Sequence, residues 1–75
     1  MTLDEFVSAF AAEFDETPVD QFKADTEFKA LDEWSSLTAL SIIAMVDEQM
    51  DKTITGADIR ASKTIEDLFN LANSK

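Results

Sequence analysis

The run SLTALSIIAMVDEQM, Ser36 to Met50, most restricts what this chain can fold into. Within it Leu37, Leu40, Ser41 and Ala44 form one stripe at helical spacing, and Ala39, Ile43, Val46 and Met50 form a second beside it. One neighbour cannot shield so wide an apolar arc. The segment is therefore expected to be a helix covered on several sides by the rest of the chain. With 75 residues, that rest is small. A chain of this size buries only about 60 % of the surface it exposes when unfolded, which predicts one domain over residues 1–75, a single thin core and no deep catalytic cavity.

The covering elements can be read in turn. Leu3, Phe6, Val7, Phe10, Ala11 and Phe14 share a helical face, and Thr2 with Glu5 fits the capping box that satisfies free amides at a helix start, so a first helix is expected from about Leu3 to Asp15. From Glu16 to Ser35 the period fades around Pro18, leaving Val19, Phe22, Phe28 and Leu31 as isolated apolar anchors of a long connection pinned to the core. One short turn is expected in it, at Val19 to Lys23. Thr55 predicts a short third helix over Gly56 to Ala61, and Thr64 with Asp67 opens a fourth carrying Ile65, Leu68, Phe69 and Ala72. Phe6, Phe10, Phe14 and Phe69 are assigned to the core, Trp34 to a lid or a half-exposed position, and Met45 and Met50 either to filling core gaps or to an interior that must yield to a guest. Nothing alternates like a strand. The expected class is all-α, a small four-helix bundle with a long first loop and a short third helix.

Six basic against sixteen acidic residues give a net charge of -10, while a hydrophobic content of 45 % favours folding over disorder. There is no Cys and no His, which removes disulfides, zinc sites, thiol and imidazole nucleophiles and a histidine proton shuttle. No acid, base and nucleophile converge in the sequence, so an enzyme is not expected. The charge repels nucleic-acid backbones and anionic membranes and points to basic protein surfaces or cations as partners. MTLDEFVSAFAAEF lacks a basic lead-in and is interrupted by Asp4, Glu5 and Glu13, so neither a signal peptide nor a membrane span is expected there, and a cytoplasmic monomer is the default expectation.

Ser35 and Ser36 stand where polar loop gives way to apolar helix. On spacing alone they are a helix start, for which Ser is a preferred residue. A hydroxyl in the first turn of a helix is also a favourable place for a phosphodiester, because free amides and the helix dipole stabilise its charge. Between Lys29 and Lys52 the chain carries Asp32, Glu33, Asp47, Glu48 and Asp51 and no cation. Such a run is ordinarily a solvated face, and it also steers basic partners. Asp47, Asp51 and Asp58 match three positions of a calcium loop, but Lys52 occupies the place of its obligatory glycine and Gln49 replaces a carboxylate, so no metal site is expected.

Four helices with a long first loop, the WSSL element opening the second, acids along it, and ITGADIRASKTIEDLF as a short helix followed by a capped one together resemble an acyl carrier protein over nearly the whole chain. In that family the serine of an Asp-Ser-Leu motif receives 4'-phosphopantetheine from coenzyme A. The resemblance implies attachment at Ser36, with Ser35 in place of the family's aspartate. It further implies a carrier of acyl or aminoacyl thioesters, in fatty acid or polyketide biosynthesis for instance. A phosphopantetheinyl transferase and acyl-loading and acyl-using enzymes would dock on Asp32, Glu33, Ser35, Leu37, Asp47, Glu48 and Asp51. The acyl chain would lie in an apolar cleft lined by Leu40, Ala44, Ile59 and Ile65. Without the cofactor, the residues also suit an acidic helical interaction module, and less well a calcium-binding protein.

Overall fold

The computed structural model describes residues 1–75, and its elements are α1 (Leu3–Ala11), α2 (Ser36–Met50), α3 (Gly56–Ala61) and α4 (Ile65–Asn73), with 3-10 turns at Val19–Gln21 and Phe28–Ala30. The chain is all-helical: α1 packs against α4 and α2, and α3 packs against α4. No helix is long and apolar enough to cross a membrane.

Each helix begins where side-chain chemistry provides a start. Thr2 with Glu5, Thr55 with Asp58 and Thr64 with Asp67 all form reciprocal capping boxes, and Ser35 caps α2 by accepting from the Thr38 amide. The first helix ends at Ala11 and not at the expected Asp15. The chain continues through tighter turns, Glu13 N to Phe10 O at 3.1 Å and Phe14 N to Ala11 O at 3.0 Å, so Phe14 still reaches the core. Helix cannot propagate further because the amides of Asp15, Glu16 and Thr17 are taken by the Glu33 carboxylate. α2 stops at Asp51, whose backbone is left-handed (φ 55°), a conformation that Asp tolerates better than most residues, and its amide closes on Asp47 O.

The core is aromatic at its centre. Phe10 is fully buried, its ring lying 6.2 Å from Phe6, 5.6 Å from Phe14, 6.2 Å from Phe22 and 5.3 Å from Phe28. Ile42, Met45 and Val46 enter from α2, Ile54 and Ile59 from the third helical region, and Ile65, Leu68 and Ala72 from α4. Phe69, expected in the core, is half-buried at its rim, 5.2 Å from Phe6. Val19, expected as an anchor, is 71 % exposed, whereas Phe22 and Phe28 are buried. The long connection is tied down by its backbone as well. Ile65 N donates to Thr26 O at 3.2 Å and Glu66 N to Ala24 O at 2.9 Å, so the loop satisfies amides that the first turn of α4 cannot satisfy itself.

α2 departs most from expectation. Its buried line is Ile42, Met45 and Val46, flanked by half-buried Ala39, Ile43 and Met50, while Leu37 is 76 % and Leu40 62 % exposed and Ala44 is also exposed. At about 100° per residue, Leu37, Leu40 and Ala44 cluster on one side of the helix and the Ile42 line lies opposite. With apolar residues all round, period alone does not choose which side is covered.

Candidate functional site

Trp34 anchors the segment that carries the serines. Its half-buried ring meets Phe28 edge-on at 5.0 Å and stacks on Phe14 at 6.3 Å, so the core fixes the chain one residue before the helix cap. Ser35 then caps α2: its Oγ lies 3.4 Å from the Thr38 amide and 3.2 Å from Thr38 Oγ1, which in turn donates to Glu33 O at 3.1 Å. Ser36 follows as the first helical residue. It is exposed, and its hydroxyl joins none of these bonds. The two serines thus divide the work, one holding the helix start and the other presenting a free hydroxyl at the positive end of a 15-residue helix.

Beside Ser36 lies a hollow of about 310 Å³, with Trp34, Ala39 and Ile59 as its apolar lining and Lys29 and Arg60 at its edge. It is not the cleft expected from Leu40, Ala44, Ile59 and Ile65. Of those four only Ile59 borders it; Leu40 and Ala44 are exposed to solvent outside it, and Ile65 is sealed in the core. Lys29 and Arg60 were not expected here. Neither belongs to a periodic pattern, and only the packing of the Phe28–Ala30 turn near α3 brings them together.

The acids separate into two kinds. Asp32, Asp47, Glu48 and Asp51 are exposed, as a docking face requires. Glu33, expected among them, is instead a structural ligand: its carboxylate accepts from the amides of Asp15 (2.9 Å), Glu16 (3.1 Å) and Thr17 (2.8 Å) and from Thr17 Oγ1 (2.7 Å). The Thr17 hydroxyl does most to hold this carboxyl below the ordinary glutamate range. Partial burial pushes the other way, and the three amides add to the lowering. Leu37, expected for docking, is the most exposed large apolar residue of the chain; Leu40 and Ala44 join it in an apolar strip continuing toward Asp47 and Glu48.

A pH dependence follows. The capping acids Glu5, Asp58 and Asp67 are lowered in the same direction: Glu5 by Thr2, Asp58 first by Lys75 and then by Thr55, and Asp67 by the Thr64 and Lys63 amides. A carboxyl lowered on folding contributes stability above its unfolded value, about 4 for Asp and Glu, and loses it as pH falls through the folded value. The urea midpoint should therefore drop between pH 6 and pH 3. Glu33→Gln should lower the midpoint at pH 6 and shrink that drop; an unchanged drop in the variant would remove Glu33 from this account.

Asp47, Asp51 and Asp58 do not come together. No group of three acidic side chains converges on a metal-sized space, and Asp58 is engaged by Lys75 at 2.9 Å and by the Thr55 amide.

No protein-family model matches this chain, and neither the curated proteins nor the solved structures contain a significant match to it.

Proposed function

We propose that this chain is an acyl carrier, holding an acyl or aminoacyl group as a thioester on a 4'-phosphopantetheine arm at Ser36 and presenting it to partner enzymes. The observation that carries this reading is Ser36 itself: an exposed, unengaged hydroxyl on the first turn of the longest helix, at the edge of a hollow lined by apolar and cationic residues together. The residues present suit the arm. The free first-turn amides and the helix dipole favour a phosphodiester, and Lys29 and Arg60 supply nearby positive charge. In the loading step, Ser36 Oγ attacks the pantetheine-side phosphorus of coenzyme A. A new O–P bond forms, the pyrophosphate P–O bond breaks, adenosine 3',5'-bisphosphate departs, and the serine proton passes to the transferase. The carrier contributes the attacking hydroxyl and its position, and the transferase the acid–base chemistry.

Leu37, Leu40 and Ala44, bordered by Asp47 and Glu48 and with Asp32 and Asp51 beyond them, suit a partner surface that is apolar at its centre and basic at its rim. Partners of this kind would be the transferase and the acyl-loading and acyl-using enzymes. The same strip would also serve an interaction module that carries no cofactor. Transfer from coenzyme A to Ser36, followed as a shift in intact mass, separates the two.

Charge steering gives a second test. Ser35→Asp retains a capping side chain and adds an anion beside the attachment residue, so the initial rate of loading by a transferase with a basic docking surface should rise. The rates of both forms should fall with salt, since exposed charges are screened beyond about 8 Å near 0.15 M. Asp47→Asn with Glu48→Gln should mimic high salt. Equal rates for Ser35→Asp and wild type, with no salt dependence in either, would reduce the acids to a solvated face.

A further inference from the structure

Six cations serve the whole chain, and two of them stand together at the hollow beside Ser36. Lys29 Nζ donates to Arg60 O at 2.9 Å, which ties a turn of the first loop to the end of α3, and both residues border the hollow. Neither meets a carboxylate, although acids outnumber cations sixteen to six; the one ion pair in the chain joins Lys75 to Asp58. Arg60 bends back along its own helix. A β-carbon at Gly56 would lie 3.3 Å from Arg60 Nη1, so the guanidinium lies against a position where only glycine leaves full room. Lys29 spends one of its three donors on Arg60 O, and the guanidinium brings five in a planar fork suited to oxyanions. Ser35 and Ser36 border the same space.

We infer that this hollow is a seat for a small oxyanion, a phosphate or a carboxylate, held between Lys29 and Arg60. The seat stands on the placement of those side chains; which anion fills it rests on the carrier reading. Attached through Ser36, the anion is either the phosphodiester of the arm or a carboxylate carried at the far end of the cargo. In the second case the chain favours carboxyl-ended acyl groups over neutral ones of the same length.

The test uses the unmodified chain, with amide NMR shifts followed during separate titrations with inorganic phosphate and with glutarate at constant ionic strength. The expected result is saturable shifts confined to the neighbourhood of Lys29, Ser36 and Arg60, with binding weakened about tenfold or more when Lys29→Ala and Arg60→Ala are combined. Lys23→Ala and Lys63→Ala should leave it unchanged. Saturation by phosphate alone assigns the seat to the arm, and saturation by glutarate alone assigns it to a carboxyl-ended cargo; saturation by both supports a seat that accepts either oxyanion. Shifts that do not saturate, that spread to Lys23, Lys52 and Lys63, or that persist in the double variant overturn the proposal. Modification of Ser36 is not involved, so failure here and failure of the carrier reading are told apart.

Discussion

Phe10→Ala should cost about 3 to 5 kcal/mol, a large share of the 5 to 15 kcal/mol that holds a typical small domain together. Phe10 is fully buried and is the one ring that meets Phe6, Phe14, Phe22 and Phe28 together. Removing it loses the transfer energy of the ring, opens a void among neighbours fixed by three different segments, and forfeits aromatic contacts worth about 0.5 to 1.5 kcal/mol each. Because Phe14 and Phe28 also carry Trp34, the loss should loosen the approach to Ser35 and Ser36 as well. Leu40→Ala is the matched control. Leu40 is 62 % exposed, so its truncation should stay within about 0.5 kcal/mol. Urea denaturation of the three proteins at neutral pH checks both values. A cost for Leu40 as large as that for Phe10 would put the wrong face of α2 against the core.

What could be read from the sequence was local. The Thr2, Ser35, Thr55 and Thr64 caps and the runs that follow them place the start of every helix, because a cap and its partner amide lie within four residues of each other. The errors share a different origin. α1 ends early because of Glu33, whose carboxylate reaches back 18 residues to the Asp15 amide, and no periodicity encodes so distant a ligand. The same contact takes Glu33 out of the docking face. Val19 resembles an anchor in sequence, but a lone apolar residue in a loop carries no sign of which way it faces. Leu40 and Ala44 fail as cleft residues for the reason that made α2 conspicuous, since a helix apolar on all sides does not declare which side its neighbours cover. Once Ile42, Met45 and Val46 are known to be buried, the exposed strip of Leu37, Leu40 and Ala44 follows from helical geometry. Lys29 and Arg60 show the opposite limit, as their meeting depends wholly on tertiary packing.

Ser36 carries the central claim, and the expected effect of removing its hydroxyl is complete. The chain should be incubated with coenzyme A and a broad-specificity phosphopantetheinyl transferase, and the intact mass measured for wild type, Ser35→Ala and Ser36→Ala. Ser35→Ala removes the α2 cap and should cost about 1 kcal/mol of stability, yet it leaves the acceptor oxygen in place. Ser36→Ala removes the only exposed hydroxyl on the first turn of α2, at a position engaged in none of the cap bonds, so the fold should persist and a melt followed by circular dichroism should confirm it. One phosphopantetheinyl addition is expected on wild type and on Ser35→Ala, and none on Ser36→Ala. An addition that survives in Ser36→Ala, or a wild-type chain that takes none, would contradict it.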